Sequence, residues 1–210
     1  MSSRSDHDFG SLPDWAQRPL VMQIFAQAHA LGGEARIVGG AVRDWLANYP
    51  VSDIDMAINL PIETVASHMV ACDMRVVETS LKHGTITLYD DNDQIELTQT
   101  RVDLESDGRH AIVAHDQDWA RDAARRDFTI NALYMDSSGG IFDPLDGEAD
   151  IQAGRLRFVG DAGLRVQEDA LRIIRYCRFL PRFAATGIDP HAQTALREHA
   201  SLCAGLSGER

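Results

Sequence analysis

Two aspartates, Asp53 and Asp55, are separated by a single isoleucine in the sequence SDIDMAIN, which has the composition of a short strand. Side chains two residues apart in a strand point to the same face, so this spacing places the two carboxylates side by side. Paired carboxylate oxygens are hard ligands suited to Mg²⁺. The pattern therefore predicts catalytic, magnesium-binding carboxylates, although an isolated Asp-x-Asp is more often part of a loop.

A pair of glycines, Gly39 and Gly40, lies shortly before these aspartates, between a short apolar strand and a helical run that Pro50 ends. Glycines let backbone amides approach an anionic ligand, and a helix N-terminus favours negative charge. Arg43 follows one turn into the helix, near the same point. A phosphate cradle beside metal-binding carboxylates is the equipment of phosphoryl or nucleotidyl transfer.

Residues 37–59, IVGGAVRDWLANYPVSDIDMAIN, resemble the active-site signature of the nucleotidyltransferase superfamily. The resemblance is closest to the class II tRNA nucleotidyltransferases (CCA-adding enzymes) and the related bacterial poly(A) polymerases. It implies attack of a primer 3′-hydroxyl on the α-phosphate of CTP or ATP, with Mg²⁺ as cofactor and the 3′ end of tRNA as partner. One departure is Leu46-Ala47-Asn48, where the family usually has Leu-Leu-Gly.

A second motif, RRDFTINA, covers residues 125–132. Asp127 and Asn131 are four residues apart, a spacing that puts both on one face of a helix. By itself the motif is typical of a capped helix, but it also matches the second signature of the same family. The resemblance implies that Arg126 binds the triphosphate and that Asp127 and Asn131 bind the ribose. Phe128, Ile130 and Leu133 are predicted core residues.

A third motif, EDALRIIRYCRF, begins at residue 168 and reads as one helix from residue 167. Asp169, Arg172 and Arg175 are three residues apart and Arg178 continues the row, which alone indicates a surface helix with weak ion pairs. The motif resembles the family's third signature, EDxxRxxRxxRF. It implies that Asp169 and Arg172 select CTP and ATP through base-edge hydrogen bonds, with Arg175 and Arg178 nearby. The predicted buried residues are Leu171, Ile174 and Phe179.

The elements that position these motifs follow from periodicity. The pattern predicts helices over 15–31, 61–71 and 194–204, strands over 74–78, 84–89, 94–100 and 156–160, and a hairpin turn at 91–93. Glu96 lies on the strand face opposite Ile95 and Leu97. It is a candidate third catalytic acid, and the alternative is a solvent-facing strand residue. Asp150 and Asp161 are predicted turn residues.

Residues 101–118 are polar, rich in Asp, Gly and His, and only weakly periodic, which predicts a long mobile loop. The resemblance implies a flexible loop that helps the enzyme switch between nucleotides. Arg101 and Arg109 are candidates to approach the triphosphate or the primer.

At 210 residues with 44% apolar content, the chain is long enough for a substantial core. We expect an α/β (α+β) fold, a polymerase-beta-like nucleotidyltransferase head with a mixed sheet over 1–160, followed by a helical neck over 161–210. The resemblance covers residues 36–210 and implies a truncated neck, because the family's body and tail, which grip tRNA, would follow. The oligomeric state stays open.

The formal net charge of −12 argues against a simple nucleic-acid coat. Charge is uneven: residues 1–154 carry about −15 and residues 155–182 about +4. The three cysteines show neither metal spacing nor a disulfide pattern, which favours a reducing cytoplasm. No apolar run reaches membrane length, and the N-terminus does not resemble a signal peptide.

Two other functions stay open. One is a poly(A) polymerase, but those enzymes tend to carry an arginine-rich segment where this chain has Thr-Ser-Leu-Lys-His-Gly at 79–84, which favours the tRNA enzyme. The other is a catalytically silent nucleotide-binding module. The presence of both Asp53 and Asp55 argues against a silent module.

Overall fold

The computed structural model describes residues 11–80, 84–106 and 111–206. Its strands in chain order are β1 (Ala35–Val38), β2 (Asp55–Ile58), β3 (Arg75–Ser80), β4 (Thr85–Tyr89), β5 (Gln94–Gln99), β6 (Arg101–Ser106), β7 (Ala111–His115), β8 (Tyr134–Met135) and β9 (Ile141–Phe142). The α-helices are α1 (Pro19–Ala30), α2 (Gly40–Leu46), α3 (Ile62–Ala71), α4 (Trp119–Ala124), α5 (Gly147–Ala153), α6 (Ala162–Glu168), α7 (Leu171–Phe183) and α8 (Pro190–Glu198).

Seven of these strands form one mixed sheet in the order β3-β4-β5-β2-β1-β8-β9. Among the described strands, only the central β2–β5 pair is parallel, and in its register Asp55 lies opposite Glu96. The sheet and its helices confirm the predicted mixed α/β class.

The main core lies between the sheet and the helices α1 and α3. Leu20, Ile24 and Ala28 recur along α1 at helical spacing and are buried, as the apolar stripe predicts. The helix begins one turn later than predicted, because Pro19 suits the first helical position with its fixed φ angle. Fixing this layer under β1 and β2 holds the ends of both strands in place.

Residues 101–106 and 111–115 form strands where the sequence predicted a loop. Strands β6 and β7 form an antiparallel pair, with Arg101 opposite His115, and they make a separate two-stranded sheet. The backbone amide and carbonyl groups that face each other in these two strands are hydrogen-bonded. The polar composition of the segment gave no indication of this pairing. Arg109 lies outside the described residues.

Asp150 is not a turn residue as predicted. It lies on α5, fully buried, where its carboxylate accepts a hydrogen bond from the Thr129 hydroxyl at 2.7 Å and pairs with Arg155 and Arg157 at 3.0 and 2.7 Å. Asp161, the other predicted turn residue, precedes α6 and accepts from the Leu164 amide at 2.8 Å. Both aspartates therefore stabilise neighbouring structure.

The C-terminal third differs from the prediction in three places. The predicted strand 156–160 makes only one bridge, Phe158 to Phe128. The predicted helix from 167 is broken at 169–170 into α6 and α7. The predicted helix 194–204 begins earlier, as α8, and a short 3-10 helix (Ala200–Gly205) follows it. Pro190 starts α8, with Asp189 as its N-cap.

A second apolar cluster joins α7 to the RRDFTINA motif. Phe128 packs edge-on against Tyr176 and Phe179, with ring centroids 5.8 and 5.7 Å apart. The buried face of α7 contains Ile173 rather than the predicted Ile174, which is 53% exposed. This cluster crosses the predicted boundary at residue 160, and the head-and-neck division stays a prediction.

Candidate active site

A concave cavity of about 890 Å³ opens where the end of β1, the start of α2, the RRDFTINA motif and α7 meet. Its lining contains eight arginines and three aspartates, although the whole chain carries a net charge of −12. The arginines are Arg43, Arg101, Arg125, Arg126, Arg172, Arg175, Arg178 and Arg182, and the aspartates are Asp55, Asp127 and Asp169. Such a cavity focuses a positive field that attracts a polyanion.

Gly39 makes the turn from β1 into α2. Its backbone has φ 64° and ψ −114°, a conformation that side chains rarely adopt, so glycine is required there. Its amide donates to the Leu133 carbonyl at 2.9 Å and is therefore committed within the fold, contrary to the expectation that both glycines offer amides to a ligand. Gly40, the first residue of α2, also lines the cavity.

Arg43 is buried, and it joins the glycine turn to the second motif. Its Nη1 donates to the Asn131 side-chain oxygen at 2.6 Å, and its guanidinium pairs with Asp44 at 2.8 Å. Phe179 and Phe183 of α7 lie within 4.9 Å of the same group. Burial lowers the pKa of Arg43, and the nearby Asp44 partly opposes this effect. These contacts fix Arg43 at the cavity wall.

The predicted carboxylates lie near the N-terminal end of β2. Asp55, the first residue of that strand, lies at the cavity wall, whereas Asp53 precedes the strand and so does not share its regular alternation. Loss of hydration raises the pKa of Asp55, and the charges of Glu96 and Asp53 raise it further. The three carboxylates are therefore close enough to interact, although Asp53 and Glu96 are not among the cavity-lining residues.

Arg126 is held by a buried carboxylate, Asp122 of α4, only 1% of whose side chain is exposed. Asp122 accepts from Arg126 at 3.1 Å, from Arg125 at 2.7 Å and from the Tyr134 hydroxyl at 2.7 Å. Burial alone would raise the pKa of Asp122, but the two guanidinium groups outweigh it and hold this pKa below its usual range. Both arginines are thus oriented into the cavity lining by one anion.

The shared α-helical face predicted for Asp127 and Asn131 does not form, because Asn131 ends a short 3-10 helix (Thr129–Asn131) and Asp127 precedes it. Their side chains nevertheless meet. The Asn131 amide nitrogen donates to one Asp127 oxygen at 2.9 Å. The other oxygen pairs with Arg175 of α7 at 2.6 Å. The second and third sequence motifs are therefore in direct contact at the cavity.

Asp169 and Arg172 lie at the junction of α6 and α7. Asp169 has extended backbone and accepts from the Leu171 amide at 3.0 Å, so it precedes α7 instead of forming part of a continuous helix. Arg172 donates through Nη1 to Glu168 at 2.6 Å. Its other guanidinium nitrogens form no hydrogen bond to any of the residues that the structure describes. Arg178 continues the row along α7.

Residues 35–157 match the protein family described as the poly(A) polymerase head domain. The chain belongs to this family. Among curated relatives, it is 43% identical to the zebrafish (Danio rerio) mitochondrial CCA tRNA nucleotidyltransferase 1 over 84% of this chain and 42% of that protein. It is 40% identical to the CCA-adding enzyme of Leuconostoc citreum over 83% of this chain and 43% of that protein.

The likeness to a solved structure extends beyond residue 157, where the family match ends. The Bacillus stearothermophilus CCA-adding enzyme in complex with CTP superposes with a TM-score of 0.82 at 32% identity, covering 93% of this chain and 46% of that one. The predicted nucleotidyltransferase head is thereby confirmed. The chain spans less than half the length of these relatives.

All ten of the predicted nucleotide-binding residues line this one cavity, whereas Asp55 alone of the three predicted catalytic acids does so. The residues that sequence analysis missed are Arg125, Arg182 and the buried Asp122. Arg125 is the first residue of the RRDFTINA motif, and Arg182 lies four residues after Arg178, one further helical turn along α7. Asp122 precedes Arg125 and Arg126 by three and four residues, a helical spacing that could have indicated the pairing.

Proposed function

We propose that this chain is the catalytic head of a template-independent tRNA nucleotidyltransferase, which adds CMP and AMP from CTP and ATP to the 3′ end of tRNA. The observation that carries the proposal is the arginine-rich cavity that has Asp55 at its wall in an otherwise acidic chain. Such a site attracts a triphosphate and places it beside carboxylates. The similarity to enzymes named for CCA addition supports the same reaction.

Arg125 and Arg126 are proposed to hold the triphosphate, together with Gly40 and Arg43. Guanidinium groups suit phosphate because their planar forks donate two parallel hydrogen bonds. Asp122 holds Arg125 and Arg126 in place before any ligand arrives, so little side-chain order is lost on binding. Arg43 is also fixed, through Asn131 and two phenylalanine rings.

Asp127 and Asn131 are proposed to bind the ribose. A ribose hydroxyl both donates and accepts, and these side chains offer a carboxylate acceptor and an amide with both roles. Arg175 already pairs with one Asp127 oxygen, which fixes the carboxylate in the cavity wall. Arg178 lies on the same side of the cavity, where it can reach phosphate or primer.

Asp53 and Asp55 are proposed to hold Mg²⁺, with Glu96 as a third acid. The described residues contain no group of three His, Cys, Asp or Glu side chains arranged as a complete metal site. Mg²⁺ is typically held by only one or two carboxylates plus substrate phosphates, so this donor set fits. The raised pKa of Asp55, caused by burial and neighbouring carboxylates, fits a position where a cation would be favoured. The ion would lower the pKa of the attacking hydroxyl and neutralise the leaving pyrophosphate.

Asp169 and Arg172 are proposed to read the base. Cytosine and adenine each present an amino donor beside a ring-nitrogen acceptor, which an Asp acceptor and an Arg donor match. Uracil and guanine present a carbonyl and a ring N–H at these two positions, so in the same pose the carboxylate would face an acceptor and the guanidinium a donor. Arg172 is bonded through Nη1, and its remaining donors stay available for a base.

Poly(A) synthesis is the second candidate, because the matching family description names a poly(A) polymerase head. A test of both functions incubates the chain with Mg²⁺ and tRNA lacking part of its 3′ end, with each triphosphate supplied alone and with CTP and ATP supplied together. We expect CMP addition, followed by AMP addition once the CC end is complete. Repeated AMP addition without CMP would support the polymerase, and nucleotide binding without incorporation would support a silent module.

High tRNA concentrations belong in this assay. Phosphate contacts supply most nucleic-acid affinity, and this chain has a net charge of −12, with its basic segment largely around the nucleotide cavity. We therefore expect tRNA binding weaker than about micromolar at physiological salt. Tighter binding would show that this chain alone provides the tRNA-gripping surface.

We also propose a reducing compartment, the cytoplasm, as the location. All three cysteines are free, and Cys72 and Cys177 are exposed. Free exposed thiols persist where disulfides are disfavoured. None of the described helices is long and apolar enough to cross a bilayer. Because one relative is named as mitochondrial, cell fractionation with a specific antibody is the measurement that separates the two locations.

A further inference from the structure

Arg165 of α6 lies behind the cavity and is not one of its lining residues. Only 13% of its side chain is exposed. Its guanidinium donates to the Val159 carbonyl at 2.9 Å, to the Arg126 carbonyl at 3.3 Å and, through a further short bond, to the Ala124 carbonyl. It is therefore bonded to the backbone of the segment that carries the proposed triphosphate-binding arginines.

Arg165 is also linked to the proposed base-reading residues, to Arg172 through a carboxylate that both arginines share and to Arg172 and Asp169 through its own backbone carbonyl. Its Nη1 donates to Glu168 at 2.8 Å, and the same Glu168 oxygen accepts from Arg172 at 2.6 Å. Arg172 donates back to the Arg165 carbonyl at 2.9 Å. The Asp169 amide donates to that carbonyl as well, at 3.3 Å. Arg165 thus contacts both sides of the nucleotide cavity from behind.

We propose that Arg165 is a positioning residue for base selection, holding Asp169 and Arg172 at a fixed distance from the backbone of Arg126. The inference rests on the proposed function. In any one nucleotide the distance between triphosphate and base edge is limited by the sugar. Residues that bind the two ends must therefore keep a matching separation, and a small displacement weakens recognition strongly.

An arginine suits this position for a geometric reason. Its planar guanidinium carries five N–H donors in a rigid fork, so it bonds several carbonyls and a carboxylate at once. Lysine has the same charge, but its donors sit on one nitrogen and cannot span these acceptors. The pairing of Arg175 with Asp127 is a second connection between α7 and the motif, but it joins the ribose side of the cavity.

The experiment measures kcat/KM for CTP, ATP, UTP and GTP in the wild-type chain and in Arg165→Gln, together with equilibrium binding of CTP and UTP. Arg197→Gln is the matched control, because it removes the same charge from an exposed position on α8. We expect Arg165→Gln to lose about tenfold of the preference for CTP and ATP, the scale of one lost polar recognition contact. The control should keep the wild-type preference.

The preference ratio separates positioning from stability. A variant that is only partly folded loses activity on all four triphosphates by the same factor, so the ratio does not change. An unchanged ratio in Arg165→Gln, alongside a clear wild-type preference, overturns the inference and leaves the proposed function intact. Arg165→Lys should lose the preference for CTP and ATP as Arg165→Gln does. If Arg165→Lys instead keeps the wild-type preference ratio, the positive charge alone is sufficient, and the positioning role is overturned.

Failure of the proposed function gives a different result. A wild-type chain with no preference for CTP and ATP, in turnover or in binding, contradicts the proposed base selection itself. The inference about Arg165 then falls with it, since no selective contact exists to be positioned.

Discussion

The two ends of the cavity are built in opposite ways. At the arginine end, protein anions pair with the cations: Asp122 with Arg126, Asp127 with Arg175 and Glu168 with Arg172. At the carboxylate end, the backbone register of β2 and β5 sets Asp55 beside another acid, Glu96. The first arrangement stabilises charges in fixed positions, whereas the second holds like charges together.

The difference shows where folding and function compete. At the arginine end, each carboxylate offsets the cost of holding the neighbouring guanidinium out of water, and the same pairs preorganise the site. At the carboxylate end, burial and the neighbouring carboxylates Glu96 and Asp53 raise the pKa of Asp55 and so disfavour its ionisation, and this repulsion contributes no stability to the fold. Residues that violate a local stability rule in this way are candidates for function.

The strongest test of the comparison is Asp55→Asn. We expect nucleotide incorporation to fall about a thousandfold, because the proposed metal site contributes several kcal/mol of transition-state stabilisation. The unfolding free energy should not decrease, since the change relieves repulsion from Glu96. Single-turnover assays with Mg²⁺ and urea unfolding measure the two effects.

Asp91→Asn is the control for that variant, because it removes an exposed carboxylate in the β4–β5 turn. It should leave both activity and stability near wild type. Incorporation within about tenfold of wild type by Asp55→Asn would contradict a metal-binding role at this carboxylate.

Asp122→Asn tests the arginine end. Removing one partner of a buried ion pair leaves uncompensated charges, so we expect a loss of about 3 kcal/mol in the free energy of unfolding. Urea unfolding followed by circular dichroism measures this loss. Glu198→Gln, at an exposed position on α8, is the control and should change stability by less than about 0.5 kcal/mol. Equal effects of the two variants would contradict the stabilising role of Asp122.

The same carboxylate predicts a pH dependence. The folded state holds the pKa of Asp122 below its ordinary value of 3.8, so this residue contributes stability above that pH. The contribution is lost as the pH falls through the lower, folded pKa. The stability gap between wild type and Asp122→Asn should therefore narrow in this acidic range, measured by urea unfolding at several pH values. An increase in this stability difference at lower pH would contradict the predicted contribution of the ionised Asp122.

Asp169→Asn sharpens the comparison at the base-reading side. Asparagine can still accept the hydrogen bond from the Leu171 amide, so folding should be retained, but it adds a donor where a base amino group also donates. We expect the preference for CTP and ATP over UTP and GTP to fall about 10- to 100-fold, corresponding to about 1–3 kcal/mol. The measurement is relative kcat/KM for the four triphosphates. Asp161→Asn, which alters the N-cap of α6, is the matched control.

Arg175→Gln should have a much smaller effect on stability than Asp122→Asn. The ion pair with Asp127 is short, at 2.6 Å, but nearly half of the Arg175 side chain is exposed to solvent. Solvent screening limits such pairs, so a double-mutant cycle with Asp127→Asn should give a coupling energy below about 1 kcal/mol. A coupling of several kcal/mol would show that this pair stabilises the fold as strongly as the buried Asp122 network.

Several features were predictable because local chemistry requires them. Gly39 follows from the turn between β1 and α2, and the buried Phe128 and Ile130 follow from the apolar positions of the RRDFTINA motif. The glycine pair and the paired aspartates indicate phosphoryl or nucleotidyl transfer by residue type and spacing. The arginine row alone indicates a surface helix, and only its resemblance to the family's third signature implied nucleotide binding. Asp53 was misplaced, since the short spacing could not show that β2 begins only at Asp55.

The tertiary structure alone decided which groups meet. The parallel register of β2 and β5 places Glu96 opposite Asp55, and no local signal specifies the register of strands 41 residues apart. Likewise, Arg165 contacts carbonyls about 40 residues away, at Ala124 and Arg126, only because α6 packs beside them. The sequence by itself determined the chemical types and the local turns. Packing of distant segments determined the neighbours of each charge, because pairing energies depend on distance and burial rather than on separation along the chain.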